Sequence, residues 1–334
     1  MTKAAELAKM GEVLTNSQIG GRRNVVINGG FQCWQRETSI TASGFSADRW
    51  RSTTGLNGAM TISRQEFTAG QTDVPSNPKY FFRHAQTTAF TNTGYNSDRT
   101  RIEDVRTLAG QLCTLTWYMK ADASRTVRVN ITQDFGTGGS PSSDVETAIV
   151  SSQAITTSFV EYTVTFTMPS INGKTIGSNE DSFIELGFDY RAEVNNTFTI
   201  DIANVQLEAG QATPFEHRSF GEELMLCKRY CNVIAPINDE AFTFGHARSS
   251  TTAVGTIRLH PVMRGTPTLA FSGVTEFQVQ HANSATQTSG MAAGELSTEG
   301  VTLNATVGSG LTTGQGIEIR EHTTGATVTI DAEL

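Results

Sequence analysis

The run 161–168, EYTVTFTM, sends Tyr162, Val164, Phe166 and Met168 to one face of an extended chain and Glu161, Thr163, Thr165 and Thr167 to the other. A helix would scatter these side chains around its circumference, whereas a strand with one buried and one wet face sorts them. Similar runs recur between residues 24 and 218: MTISRQEF, LCTLTWYMKA, TVRVNITQDF, SFIELGFDY and TFTIDIANVQLE, parted by Gly, Ser, Asn and Pro clusters. With no helical pattern between them, such strands predict two antiparallel sheets packed face to face. The expected fold class is therefore all-β, with a jelly-roll β-sandwich at its centre. Composition agrees, since 37% of residues are hydrophobic and only 17% charged.

A chain of 334 residues suits more than one domain. Residues 3–14 read as a short helix with Leu7, Met10 and Leu14 along one narrow stripe. About three turns are marginal alone, so this stripe is expected to order against its own copies or another protein. Gly20-Gly21 then marks a hinge, making 1–23 an N-terminal anchor and 24–218 the jelly roll. Ser219 and Glu222 have the spacing of a capping box, which predicts a connecting helix over 219–231 with Leu224, Cys227 and Cys231 on one face. Short strands return over 232–334, among them AVGTIRLHPV, FQVQHA and GIEIREH, and predict a smaller C-terminal β-domain.

The net charge of -8, from 25 basic and 33 acidic residues without a dense Lys/Arg stretch, argues against a nucleic-acid partner or a membrane surface. No apolar run is long enough for a spanning helix, and the N-terminus lacks the apolar core of a secretion signal, so synthesis and folding in a cytoplasm are expected. Cys33, Cys113, Cys227 and Cys231 lack metal-type spacing and read as buried thiols. The six His residues are dispersed, no Gly-x-Ser-x-Gly elbow occurs, and the glycine runs lack the Lys-Ser/Thr of a phosphate loop. Glu103-Asp104 and Asp239-Glu240 are adjacent, so in strands their carboxylates would diverge rather than flank a glycosidic bond. Neither a catalytic residue nor a cofactor is expected.

The run Asn28-Gly29-Gly30-Phe31-Gln32-Cys33-Trp34-Gln35-Arg36, followed by Ala47-Asp48-Arg49-Trp50, resembles the opening of many phage and prophage tail-fibre proteins. LTWYMKA (115–121), SFVEYTVTF (158–166) and IDIANVQLEAGQATPFEHR (200–218) look like the carbohydrate-binding-module jelly roll of that family. GEELMLCKRY (221–230) resembles the short helix that follows it, and 253–273 with the terminal DAEL resembles the distal β-domain. The N-terminal leader is similar to those of marine phage fibres. The resemblance implies a virion component, usually a homotrimer, that docks on a tail or baseplate protein through residues 1–23 and faces host surface glycan. Sugar-binding modules of this type often use an Asp-Asp pair near a structural calcium. Ala203-Asn204 and Gln32 stand in the corresponding places here, leaving Asp201 as the one calcium candidate.

A glycan site needs aromatic platforms and planar polar side chains. Tyr95, in the polar run TNTGYNSDRTR, with Arg99 and Arg101 forms the expected contact patch, with Asp98 as a polar neighbour and Trp34 and Trp50 as further candidate rings. For Trp34, Trp50 and Trp117 a place in the core is the competing expectation. The expected function is non-catalytic adsorption of a phage tail fibre to glycan. The alternatives are a purely structural head-fibre, decoration or collar protein, and a glycan depolymerase.

Overall fold

The computed structural model describes residues 22–92, 94, 96–237, 239–282 and 284–334. Leu7, Met10 and Leu14 of the expected anchor helix, and Tyr95 of the expected patch, lie outside the described residues. The described chain divides into two compact units, one running up to Glu223 and including Leu334, the other covering Leu224–Glu333.

The first unit contains β1 (Ser39–Ile40), β2 (Gly44–Phe45), β3 (Trp50–Thr53), β4 (Ala59–Glu66), β5 (Tyr80–Thr88) and β6 (Ser97–Glu103). These are followed by β7 (Leu112–Ala121), β8 (Arg125–Asp134), β9 (Val145–Ile155), β10 (Val160–Thr167), β11 (Phe183–Asp189) and β12 (Phe198–Ala209). They form two six-stranded sheets, ordered β1-β4-β5-β12-β7-β10 and β2-β3-β6-β11-β8-β9, with every pairing antiparallel. The sheets meet over one apolar core, where Trp117 of the first approaches Phe188 of the second with centroids 5.8 Å apart. The alternation in 161–168 is realised: Tyr162 and Met168 are buried while Thr163, Thr165 and Thr167 are exposed. This is the expected jelly-roll-type sandwich.

The opening motif folds into the knot that closes this core. Asn28, at φ 57°, donates from its amide to the carbonyls of Cys33 (2.8 Å) and Asp48 (3.0 Å) and accepts from the Cys33 N–H at 3.0 Å. The Asp48 carboxylate accepts from the Gln35 backbone (3.0 Å) and side chain (2.7 Å), and the Trp50 indole donates to the Asn28 carbonyl at 3.2 Å. Gly29 is required by close approach, because a Cβ there would stand 2.1 Å from the Val205 carbonyl oxygen.

The connecting helix α1 covers Phe220–Lys228 and is shorter than expected: Cys231 opens strand β13 (Cys231–Ile234) instead of extending the helical face. Its capping box forms, with Glu222 accepting from the Ser219 backbone at 2.9 Å and the Ser219 hydroxyl accepting from the Glu222 N–H at 3.3 Å. All four cysteines are buried free thiols.

The second unit continues with β14 (Ala241–Ala247), β15 (Thr252–Arg258), β16 (Thr268–Phe271), β17 (Phe277–His281), β18 (Ser284–Leu296), β19 (Gly300–Val307), β20 (Gly316–Glu321) and β21 (Val328–Asp331). Six of these close into a barrel ordered β14-β15-β19-β18-β17-β20, and β13, β21 and β16 form a separate three-stranded sheet. Barrel closure removes the exposed edges that so many short strands would otherwise present. Phe277, Val279, Leu303 and Ile319 fill its core.

Candidate functional site

Strand alternation turns Arg99 and Arg101 of β6 outward on the second sheet, and register sets their neighbours. Arg101 lies opposite Glu185 of β11, which in turn lies opposite Thr132 of β8. Arg99 lies opposite Gly187, and Gly187 opposite Asn130. The two guanidinium groups converge on one carboxylate: Arg101 Nε donates to Glu185 Oε2 at 2.8 Å and Arg99 Nη1 to Oε1 at 3.3 Å. Arg101 also lies 4.1 Å over the ring of Phe183.

Around this clamp runs a groove of about 500 Å³, crossing β6, β11, β8 and β9 and bordered by Gly94, Asp144 and Arg191. Four strands at a spacing of ~4.8 Å make it roughly 14 Å across. Gly187 keeps its floor open, since a Cβ there would lie 2.9 Å from Asn130 Oδ1. At one end Asp189 is held by Arg191 Nε at 2.8 Å and approached by Arg128 Nη1 at 3.6 Å, while Arg128 also pairs with Glu146. At the other end Asp134 accepts from the Gly136 N–H at 2.7 Å. Asp144 sits nearby, and burial, then the charge of Asp134, push its carboxyl above the usual aspartate value.

Five carboxylates (Asp134, Asp144, Glu146, Glu185, Asp189) line the groove, and four guanidinium groups meet them: Arg99, Arg101 and Arg191 in its wall and Arg128 against Asp189 and Glu146. With charges so nearly matched and mostly paired, the wall offers no surplus of positive charge to hold an anionic polymer. With only the covered face of Phe183 as apolar surface, it suits a hydroxyl-rich ligand rather than a lipid.

The structure brings Arg99 and Arg101 together in this groove and separates them from Trp34 and Trp50. Trp50 is wholly buried and stacks on Phe188 at 6.3 Å, and Trp34 is 9% exposed with its indole donating to the Phe31 carbonyl at 2.8 Å. As glycan platforms both are corrected to core residues, because the knot made by the opening motif holds their rings inside. Asp98 faces inward, as its position between two outward arginines requires. The calcium candidate Asp201 gives both oxygens to the Arg83 guanidinium, at 2.7 and 2.8 Å, and has the Lys120 ammonium 3.6 Å away, so cationic side chains already occupy the place of a cation. No cluster of potential metal ligands occurs among the described residues. Sequence reading did not single out Glu185, Gly187 or Asn130. Phe183, Glu185, Gly187 and Asp189 do share one face of FIELGFD, but only register shows that this face adjoins Arg99 and Arg101.

No protein-family model matches the chain, and no curated protein matches it. Among solved structures, it is similar to the CBM22-1–GH10 modules of the Clostridium thermocellum endo-1,4-beta-D-xylanase 10B, with 11% identity, TM-score 0.34, and coverage of 57% of this chain and 29% of that one. The family 11 carbohydrate-binding module of the Clostridium thermocellum cellulase Lic26A-Cel5E gives 15% identity, TM-score 0.30, and coverage of 55% and 99%. The enzymatically active domain of bacteriophage CBA120 tailspike protein 4 gives 14% identity, TM-score 0.31, and coverage of 56% and 21%.

Proposed function

We propose that this chain is a non-catalytic glycan-binding protein of a phage virion, a tail-fibre subunit that adsorbs to a neutral host surface polysaccharide through the groove on its second sheet. The observation that carries this reading is the Arg99–Glu185–Arg101 clamp beside the open floor at Gly187. Planar guanidinium and carboxylate groups, fixed by one another, can bridge neighbouring hydroxyls without having to reorganise on binding. The nearly matched, mostly paired charges of the groove favour an uncharged glycan over a sulfated or phosphorylated one. The phage setting is supported by the tail-fibre-like opening motif, and assembly as a homotrimer docked through residues 1–23 by the apolar stripe of Leu7, Met10 and Leu14.

The test is binding of the purified chain to host cells and to their extracted polysaccharide, with wild type compared against Arg101→Ala, together with immunogold localisation on virions. Saturable binding lost in the variant, with label on the tail, is the expected result. Absence of binding would leave a purely structural virion protein. Progressive shortening of the polysaccharide would identify a depolymerase, with the Asp134–Asp144 end of the groove as the place to seek its carboxylates.

A further inference from the structure

On the outer face of the barrel in the second unit, an aromatic ring stands in solvent beside a fixed set of polar side chains. Phe244 of β14 is 66% exposed, more than any other large apolar side chain among the described residues. Strand alternation alone would turn Phe242 and Phe244 to the same side. The register slips between Ala241 and Thr243, and this bulge packs Phe242 against the core, 5.8 Å from Phe277, buries Thr243 and leaves Phe244 outside. Two phenylalanines two positions apart are thus divided between core and solvent.

Register also fixes what surrounds the exposed ring. Phe244 lies opposite Glu318 of β20, which puts their Cβ atoms about 5 Å apart. On the other side, Thr256 of β15 comes next after the Gly245–Gly255 pair. Glu318 is held in place, its Oε2 accepting from Arg320 Nε at 2.8 Å with Arg320 Nη2 at 2.7 Å. Arg320 Nη1 donates to Asp239 Oδ2 at 3.1 Å, and Asp239 Oδ1 accepts from the Gln278 amide. These side chains stay accessible, at 32% for Glu318, 28% for Arg320 and 54% for Asp239. Glu318 Oε1 accepts no hydrogen bond from the described residues.

We propose that this face of the barrel is a second carbohydrate site, which stacks the C–H face of a neutral hexopyranose on Phe244 while a hydroxyl at the edge of the same sugar donates to Glu318 Oε1. The core of a protein interface is a contiguous apolar patch, whereas a sugar needs one ring and planar polar groups at its edge. Across the sheet Phe244 has Thr256 and Glu318 for neighbours, which fits the sugar. Arg320 has more N–H donors than its two carboxylates engage, so it also donates to a sugar oxygen. Shared between two carboxylates, it is not free to neutralise an anionic sugar. The pairs among Glu318, Arg320, Asp239 and Gln278 hold these groups in place before binding. The site shares no residue with the groove and goes beyond the function proposed for it.

The test is saturation-transfer NMR on the full chain with methyl β-glucoside, methyl β-galactoside and methyl α-mannoside, run in the Arg101→Ala background so that the groove does not contribute. At least one glycoside should give a saturable signal, strongest on the protons of one face of its ring. Adding Phe244→Ala should weaken that binding about tenfold or more at an unchanged melting temperature, and Phe244→Trp should preserve it. Absence of a saturable signal with every glycoside, equal saturation of both faces of the sugar, or binding that survives Phe244→Ala would each overturn the proposal. A change in sedimentation of the chain on Phe244→Ala would also overturn it, by making the ring a contact between copies. If Phe244→Ala lowers the melting temperature, Glu318→Ala decides: it removes the acceptor at the sugar's edge, leaves the ring, and must still weaken binding.

Discussion

His84 Nδ1 lies 3.1 Å from both carboxylate oxygens of Asp98, and both residues are completely buried. His84 belongs to β5 in the first sheet and Asp98 to β6 in the second, so the pair ties the two layers together through the core. Asp98 also accepts from the Ser52 hydroxyl at 2.6 Å and from the Tyr190 hydroxyl. Removing one partner leaves the other buried and uncompensated. Asp98→Ala should therefore cost about 3–5 kcal/mol in urea denaturation, and the double variant His84→Leu/Asp98→Leu should cost less than the two single losses combined.

The hydrogen-bond pattern also fixes the orientation of the imidazole. Gln86 donates its amide N–H groups to Thr54 (2.9 Å), Ala59 (3.0 Å) and Thr88 (2.7 Å), so it turns its carbonyl oxygen toward His84 Nε2 at 3.3 Å. Both ring nitrogens thus face acceptors.

In the groove, binding and stability should separate. Arg101→Ala leaves Glu185 paired with Arg99, so the expected stability change is under ~1 kcal/mol. Glycan affinity should fall about tenfold or more, or ~1.4 kcal/mol. Gly187→Leu should abolish binding by filling the floor while the fold persists, because the nearest obstruction is the movable end of the Asn130 side chain. Calorimetry with host polysaccharide, alongside thermal melts, checks both.

Trp117 should behave in the opposite way. It is 1% exposed, packed between Tyr162 at 5.5 Å and Phe188 at 5.8 Å, so Trp117→Ala should destabilise by roughly 3–5 kcal/mol. Affinity per folded molecule should not change, as measured by binding at low temperature where the variant remains folded.

The capping box predicts a pH dependence. Hydrogen bonds from the Ser219 backbone and then its hydroxyl hold the Glu222 carboxyl below its ordinary value of 4.5. A depressed carboxylate contributes stability that is present above the unfolded value and lost as pH falls through the lower folded one. Melting temperatures followed downward from pH 5 should show a smaller decline in Glu222→Gln than in wild type.

Strands, their buried faces and the helix start were determined by local sequence, because side-chain alternation and a Ser-x-x-Glu spacing act over a few residues. Even there β18 stayed faint, since ATQTSGMAAGE has too little apolar contrast to mark a face. Trp34 and Trp50 show the limit of composition: an aromatic ring suits a sugar platform and a core equally, and only the hydrogen-bonded knot around Asn28 and Asp48 sends these two inward. Arg99 and Arg101 were legible as a pair, but their partner Glu185 lies 86 residues from Arg99, and the open floor at Gly187 exists only once β6, β11 and β8 are in register. Tertiary structure alone decided that groove, because register and sheet stacking bring together residues whose sequence separation carries no record of their proximity.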